Sequence, residues 1–182
     1  MQNNIAPDGS DIEITKNSGS IYSIDKDLKV TNHVNDIGIS NTFAWSPSND
    51  KFYFTDTLTG IIDVYDYNHK DNKITNKREF AKFDRGYPDG STVDSEGFLW
   101  SCRWSGSCVA RFDPNGKLDT VIELPVPNVT SCTFGGSDLK TLFITTARMG
   151  MTEEELNNNP HAGSVFAYNA STKGKPDFKF GS

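Results

Sequence analysis

The sequence predicts an all-β protein, and three observations support this fold class. Apolar and polar residues alternate with period two in short runs of about 5–7 residues, which is the pattern of half-buried strands. Turn signals separate these runs, as in Asp113-Pro-Asn-Gly116 and Gly135-Gly-Ser-Asp138. Aromatic residues make up 12% of the chain, beside 15 Gly and 8 Pro, and this composition suits many short strands joined by tight turns.

The expected elements follow from this alternation along the chain. The runs that we expect to be strands, some of them paired through a turn, are 19–25, 27–34, 39–46, 51–57, 60–68, 77–83, 90–104, 107–117, 119–125, 131–138, 140–148 and 163–169. One short helix interrupts them, because Thr152 and Glu155 have the spacing of a capping box and Pro160 ends the segment. In the turn "DSEG", Asp94 and Gly97 are expected to shape a hairpin, and Trp100 to pack between sheets.

Three segments of the chain share one order of strand, polar turn, aromatic strand and further strand. They are marked by Asn41, Asp89 and Ser131, which lie 48 and 42 residues apart. A four-stranded unit that recurs about every 40–45 residues is typical of a β-propeller, in which each unit is one blade. We therefore predict one domain, residues 1–182, that forms a partial propeller of about four blades. Residues 1–35 have the pattern of the tail of a blade.

Composition and charge exclude several classes of function. The net charge is -6 and no cluster of Lys and Arg occurs, so we expect no nucleic-acid partner. No apolar stretch approaches the ~20 residues that span a membrane, so we expect no membrane partner. The three cysteines, Cys102, Cys108 and Cys132, are expected to be buried thiols in a reducing compartment. With no signal peptide in "MQNNIAPDGSD", this indicates a cytoplasmic protein.

Two residues carry oxygen donors at the starts of apolar runs, Asn41 in "SNTFAW" and Asp89 in "PDG". An amide oxygen, a carboxylate and waters suit a hard divalent cation such as Ca²⁺, Mg²⁺ or Mn²⁺, whereas Zn²⁺ prefers nitrogen and sulfur. From the residues alone, the more common roles are structural: Asn41 would bond the backbone at a strand start, and Asp89-Gly90 would form a turn. The three histidines share no spacing, so we reject a histidine metal site.

Four motifs occur in order at the spacing of the repeats: "ISNTFAWS", "YPDGSTVDSEGFLW", "SCTFGGSDLKTLFITTARMGM" and "HAGSVFAY". Together they resemble the SMP-30, gluconolactonase and luciferin-regenerating-enzyme family, which includes regucalcin. The tripeptide "PDG" is a weak signal alone, and the ordered set of four makes the resemblance specific. It extends from about Ile21 to Phe180, nearly the whole chain.

The resemblance implies a six-bladed β-propeller that holds one divalent cation at the top of its central channel. It implies that Asn41 is a metal ligand through its amide oxygen, and that Asp89 is a metal ligand and the catalytic acid/base. Two family features have no counterpart here: a ligand glutamate in the first blade and an Arg-x-Asn substrate-binding stretch. We therefore expect the last four blades of the six, with Met1 at an internal methionine, so that the missing signal peptide loses its meaning. The substrate-binding residues are unknown.

The function implied by the resemblance is hydrolysis of a sugar lactone to the aldonic acid. A divalent cation (Ca, Mg, Mn or Zn) would polarise the lactone carbonyl, while Asp89 would take or deliver protons. Because one ligand and the substrate-binding stretch are missing, we expect weak metal binding and little turnover by this chain alone. Two other functions stay open: a non-catalytic, regucalcin-like calcium-binding protein, and a propeller arc that only binds other proteins.

Overall fold

Ala6 and residues 12–177 are described by a computed structural model, and nearly all of their regular structure is β. In chain order the strands are β1 (Gly19–Ile24), β2 (Val30–Ile37), β3 (Ser40–Trp45), β4 (Lys51–Asp56), β5 (Ile61–Asn68), β6 (Lys73–Lys82), β7 (Tyr87–Val93), β8 (Leu99–Trp104), β9 (Cys108–Phe112), β10 (Leu118–Glu123), β11 (Val129–Gly135), β12 (Thr141–Thr146) and β13 (Val165–Asn169). A 3-10 turn, Thr57–Thr59, follows β4, and helix α1 (Glu153–Asn158) lies between β12 and β13. The predicted all-β class is confirmed.

The strands of residues 12–177 form four antiparallel sheets, and each sheet pairs strands in chain order. Strands β3 to β6 form one four-stranded sheet and β7 to β10 form another. Strands β11 to β13 form a three-stranded sheet, and β1 and β2 form a two-stranded sheet. Within the described residues no sheet closes on itself. Short turns join neighbouring strands within each sheet except β12 and β13, which are separated by helix α1. This locality is why period-two alternation predicts most of the pairings well.

The core of the described residues consists of three hydrophobic clusters, each between two neighbouring sheets. The first lies between β1–β2 and β3–β6 and contains Ile21, Ile37, Phe52, Phe54 and Tyr65. The second lies between β3–β6 and β7–β10 and contains Ala44, Tyr53, Ile62, Val64, Ala81, Val93, Leu99, Ala110 and Phe112. The third lies between β7–β10 and β11–β13 and includes Trp100, Cys102, Val109, Cys132, Leu142 and Ile144. Burial of apolar surface between faces therefore holds the sheets together.

Two turns of the second four-stranded sheet use the same side-chain chemistry. The Oδ1 atom of Asp94 accepts from the backbone N–H groups of Glu96 and Phe98, both at 3.0 Å. Asp113 repeats this pattern two strands later, with Gly116 in the left-handed region at φ 84°. The carboxylates replace backbone partners that the turn residues lack. The predicted "DSEG" hairpin is confirmed.

Asp94 also carries a second, buried set of contacts. Its Oδ2 atom accepts from the indole nitrogen of Trp100 at 2.9 Å and from Nη2 of Arg111 at 2.8 Å, and the residue has no exposed surface. The guanidinium of Arg111 lies 3.6 Å from the centre of the Phe98 ring. This network fixes Trp100 in the third cluster, so its predicted packing between sheets is confirmed.

Arg103 on β8 is a buried arginine whose hydrogen bonds go to backbone carbonyls. Its guanidinium donates to the oxygens of Phe83, Arg85 and Gly86, at 2.8 to 3.1 Å, and Nη1 has no partner among the described residues. Burial lowers the pKa of Arg103 to about 10. These bonds hold the loop that leads from β6 into β7.

Two smaller predictions, on the cysteines and on the helix, are also confirmed by the structure. All three cysteines are free and buried, and burial raises the pKa of the Cys102 and Cys108 thiols, which keeps them protonated and unreactive. Helix α1 begins with the expected capping box of Thr152 and Glu155. In the part of the chain that the structure describes, no helix is long and apolar enough to cross a membrane. The N-terminal stretch examined for a signal peptide lies outside the described residues, apart from Ala6.

Candidate active site

Strands β3, β7 and β11, each the first strand of its sheet, lie side by side, and each interrupts its own ladder near its N-terminal end. The pairing register shifts between Asn41 and Ala44, between Pro88 and Ser91, and between Val129 and Ser131. Such bulges bend a strand and redirect its side chains, and they are common next to active sites. The three marked repeats of the sequence thus coincide with three irregular positions on adjacent strands.

The β3 irregularity includes a residue with unusual backbone geometry. Thr42 has φ 51°, in the left-handed region that β-branched residues rarely adopt, and is only 1% exposed. Its hydroxyl donates to the backbone oxygen of Asp89 at 2.8 Å and lies 2.9 Å from the hydroxyl of Ser91. These two contacts tie the irregular part of β3 to the irregular part of β7.

The structure brings Asn41 and Asp89 together across these two strands. Burial raises the pKa of Asp89 to about 6, and hydrogen bonds from the Gly90 N–H and the Asn41 amide lower it only in part. The amide nitrogen of Asn41 also donates to the hydroxyl of Thr57 at 2.9 Å. Asp89 lies inside β7, so the alternative in which Asp89-Gly90 forms a simple turn does not describe its position.

Gly90 allows β7 and β11 to approach closely beside Asp89. A Cβ atom at this position would lie 2.5 Å from the hydroxyl oxygen of Ser131 and 2.8 Å from the backbone oxygen of Thr130. Because real Cβ atoms do not come so near to other atoms, this position needs a residue without a side chain. The glycine of the "PDG" motif is therefore explained by packing.

A cleft of about 430 Å³ lies over these positions. Its lining is rich in hydroxyl groups and consists of Ser20, Ser40, Asn41, Thr42, Phe43, Gly90, Ser91 and Ser131. The hydroxyl oxygen of Ser40 is buried and has no hydrogen-bond partner among the described residues. A cleft with several hydroxyls and one unsatisfied polar atom has the chemistry to bind a small polyhydroxylated molecule.

The donors in this region can be compared with the needs of a divalent cation. Asn41 and Asp89 supply an amide oxygen and a carboxylate, which are hard ligands of the kind that Ca²⁺ and Mg²⁺ prefer. Within residues 12–177, no group of three His, Cys, Asp or Glu side chains could hold a metal. The two donors fit a hard cation that completes its shell with waters, and such a cation would be held weakly.

Sequence reasoning identified Asn41 and Asp89 but missed the side chains that surround them. Thr42, Thr57 and Ser40 were not singled out, although all three contact or border the pair. Thr57 follows Asp56, whose carboxylate caps the 3-10 turn, and that local turn pattern is the one sequence signal that could have drawn attention to it. The buried Arg103 had no such signal.

Comparison with known sequences gives consistent matches. A family model described as "SMP-30/Gluconolactonase/LRE-like region" matches residues 1–148. Regucalcin from Gallus gallus is 36% identical over 171 residues, which are 92% of this chain and 57% of the relative. Regucalcin from Homo sapiens is 36% identical over 156 residues, 84% of this chain and 52% of the relative. The chain thus spans little more than half the length of these relatives.

Solved structures resemble the described fold over similar shares. A luciferin-regenerating enzyme gives a TM-score of 0.82 at 32% identity, covering 90% of this chain and 55% of that chain. A calcium-binding protein, regucalcin, from Agrobacterium tumefaciens gives 0.83 at 31% identity, covering 88% and 55%. A gluconolactonase from Xanthomonas campestris gives 0.64 at 29% identity, covering 77% and 46%.

Proposed function

Because this chain belongs to the SMP-30/Gluconolactonase/LRE-like family, we propose that it carries part of the active site of a divalent-metal-dependent lactonase, which opens a sugar lactone to the aldonic acid. In this proposal the four sheets are blades of a six-bladed propeller. The observation that carries the proposal is the adjacency of Asn41 and Asp89 at two matching bulges, with the pKa of Asp89 near 6.

The role of Asp89 is proton transfer. The pKa of about 6 belongs to the metal-free chain, and a cation bound to Asp89 would lower it, so the carboxylate would be ionised and able to accept a proton near neutral pH. The carboxylate takes a proton from the attacking water as that water's oxygen bonds to the lactone carbonyl carbon. The ring C–O bond then breaks, and the same proton goes to the departing ring oxygen, which becomes the hydroxyl of the aldonic acid.

The other residues bind and orient. A divalent cation held by the oxygens of Asn41 and Asp89 would supply polarisation of the lactone carbonyl. The hydroxyl-rich lining of the cleft offers partners to the hydroxyls of a sugar lactone. With two protein ligands in the described residues, we expect this chain alone to bind metal weakly and turn over slowly.

The test is hydrolysis of D-glucono-δ-lactone in a pH-stat, with the spontaneous rate subtracted. The full chain is stripped with a chelator and then supplied in turn with Ca²⁺, Mg²⁺, Mn²⁺ or Zn²⁺. We expect metal-stimulated turnover that Asp89→Ala abolishes and Asn41→Ala reduces, because each removes a ligand. Asp84→Ala, an exposed carboxylate in the loop before β7, is the matched control. Undiminished turnover by Asp89→Ala would overturn the mechanism.

A second candidate function rests on one comparison. The Agrobacterium structure is described as a calcium-binding protein, and the same two oxygen donors could bind Ca²⁺ without catalysis. A rise in melting temperature with Ca²⁺, lost in Asn41→Ala and without any turnover, would favour this function. If none of the four cations produces turnover or a melting shift, the remaining function is that of a propeller arc that only binds other proteins.

A further inference from the structure

The irregularity of β7 leaves part of its backbone without a partner on β8. The register runs from Pro88, which pairs with Arg103, directly to Ser91, which pairs with Ser101, so Asp89 and Gly90 are outside the ladder. Buried carbonyl groups without a ladder partner need another donor. The Thr42 hydroxyl of the neighbouring β3–β6 sheet donates to the carbonyl of Asp89. The Thr57 hydroxyl, from the 3-10 turn, donates to the carbonyl of Pro88, the last paired residue before the gap.

Thr57 accepts one hydrogen bond and donates another. Its hydroxyl donates to the backbone oxygen of Pro88 at 2.9 Å, and it lies 2.9 Å from the amide nitrogen of Asn41. A carbonyl can only accept, so the single hydroxyl proton is committed to Pro88. The Thr57 oxygen must then accept from Asn41, which requires the NH₂ group of the amide to face Thr57.

The bond to Thr57 requires one orientation of the Asn41 amide, and the Asp89 carboxylate, which also accepts from this amide, agrees with it. An asparagine side chain can present either its oxygen or its nitrogen, and only the surrounding hydrogen bonds distinguish the two orientations. With the nitrogen facing Thr57, the oxygen points away from it, and among residues 12–177 no donor reaches that oxygen. The amide oxygen is therefore the atom left for a ligand.

Thr42 acts on the next carbonyl of the same strand. Its hydroxyl donates to the backbone oxygen of Asp89 at 2.8 Å, so by the same reasoning it accepts from the hydroxyl of Ser91 at 2.9 Å. Thr42 and Thr57 thus bind the two successive carbonyls that bracket the backbone of Asp89. Thr42 is almost completely buried, so water does not compete for this bond.

We propose that Thr57 and Thr42 are positioning residues of this site: their hydroxyls fix the backbone of Asp89 and turn the amide oxygen of Asn41 toward the cleft. The inference rests on the proposed function, because this orientation matters for activity only if the Asn41 oxygen is a ligand of a cation. Neither threonine needs to contact substrate or cation in this role. Partners that orient a ligand typically alter metal affinity by about 10- to 100-fold when removed.

The test uses the full chain with Thr57→Val, which keeps the shape and removes the hydroxyl, and Thr57→Ser, which restores the hydroxyl. Thr59→Val is the matched control, because Thr59 bonds only within the same turn, to Asp56 and Ile61. The first measurement is solvent exchange of the Asn41 side-chain NH₂ protons by NMR, in metal-free protein. The second is the dissociation constant for Ca²⁺ and for Mn²⁺, fitted from the melting temperature as a function of metal concentration.

We expect Thr57→Val to speed exchange of the Asn41 NH₂ protons severalfold and to raise both metal dissociation constants by about 10-fold or more. Thr57→Ser and Thr59→Val should match the unaltered chain in both measurements. Unchanged NH₂ exchange in a folded Thr57→Val chain would overturn the inference. The inference would also be overturned if the Asn41 NH₂ protons exchanged as fast in Thr57→Ser, which keeps the hydroxyl, as in Thr57→Val.

The two proposals fail in different ways. If Thr57→Val alters NH₂ exchange while no form of the chain responds to Ca²⁺ or Mn²⁺, the positioning role stands and the proposed metal site is wrong. If metals bind to the unaltered chain and Thr57→Val changes neither readout, the metal site stands and the positioning role is wrong. Thr42→Val should affect exchange of the Gly90 backbone amide, which reports the β7 backbone directly.

Discussion

The indole nitrogen of Trp100 donates to the carboxylate of Asp94 at 2.9 Å, and this carboxylate has no exposed surface. The same carboxylate closes the turn between β7 and β8, so one side chain joins a turn to the cluster between two sheets. A buried indole N–H that loses its acceptor costs about 1–3 kcal/mol. Asp94 therefore stabilises both a turn and the packing of Trp100, whereas Asp113 stabilises only a turn.

Asp94→Ala should therefore destabilise the chain more than Asp113→Ala. We expect a loss of about 2–4 kcal/mol for Asp94→Ala, from the turn and the buried contacts to Trp100 and Arg111 together, and about 1 kcal/mol for Asp113→Ala, from the turn alone. Urea unfolding followed by tryptophan fluorescence measures both. Equal losses for the two variants would show that the buried contacts of Asp94 contribute nothing beyond the turn.

The pKa of Asp89 predicts a pH dependence of stability in the metal-free chain. Its folded value, about 6, is above the usual 3.8, so the folded state binds this proton more tightly than the unfolded state. The resulting stabilisation is complete below about pH 4 and is lost as pH rises through 6. Asp89→Asn should thus be more stable than the unaltered chain at pH 8, on the order of 2–3 kcal/mol, and similar at pH 4.

Chemical denaturation at pH 4, 6 and 8 in the presence of a chelator checks the Asp89 prediction. Asp84→Asn, which removes an exposed carboxylate, is the matched control. An Asp89→Asn chain that is no more stable at pH 8 would mean that burial does not penalise the ionised carboxylate. If Asp89→Asn gains stability but loses lactone hydrolysis, Asp89 serves function at the expense of stability.

Gly90→Ala should weaken contact between β7 and β11. The added Cβ would approach the Ser131 hydroxyl oxygen to 2.5 Å and the Thr130 backbone oxygen to 2.8 Å, so one strand must shift. We expect a loss of about 1–3 kcal/mol, typical of overpacking. Ser131→Gly removes the first contact but leaves the Thr130 oxygen, so a double-mutant cycle should recover part of the loss. Full additivity of the two changes would contradict the predicted clash.

Arg103→Met should destabilise the loop that leads into β7. The substitution removes the donors to three carbonyls, those of Phe83, Arg85 and Gly86. Relief from burying the charge offsets part of the cost, and we expect a net loss of about 1–3 kcal/mol. Thermal unfolding and amide exchange in the loop measure it, with exposed Arg78→Met as the control. A more stable Arg103→Met chain would mean that the cost of burying the guanidinium dominates.

Local signals in the sequence predicted most of the strands and turns. Alternation and the Asp-x-x-Gly turns depend on neighbours within a few residues, so they can be recognised without tertiary information. The start of β7 was less accurate: the predicted run began at Gly90, and the strand begins at Tyr87. Pro88 and Gly90 weaken a strand pattern, and the bulge that they accompany is a product of packing between sheets.

The candidate site was predictable only in part. Asn41 and Asp89 were identified through family motifs, and the structure places them together. The threonines were missed because their bonds are long-range: Thr57 binds a carbonyl 31 residues away and Thr42 one 47 residues away. Such contacts leave no periodic signal, since a hydroxyl on a strand has the same pattern whether or not it holds a neighbouring strand.

The three hydrophobic clusters have a consequence for how the chain unfolds. Each cluster joins one sheet only to the next, so the free energy of unfolding resembles a sum of nearest-neighbour terms, as in repeat proteins. Among the described residues, the β3–β6 and β7–β10 sheets are packed on both faces, while the β1–β2 and β11–β13 sheets contribute to one cluster each. The β1–β2 and β11–β13 sheets should therefore separate first. The interface between β3–β6 and β7–β10, which carries Asn41 and Asp89, should be the last to unfold.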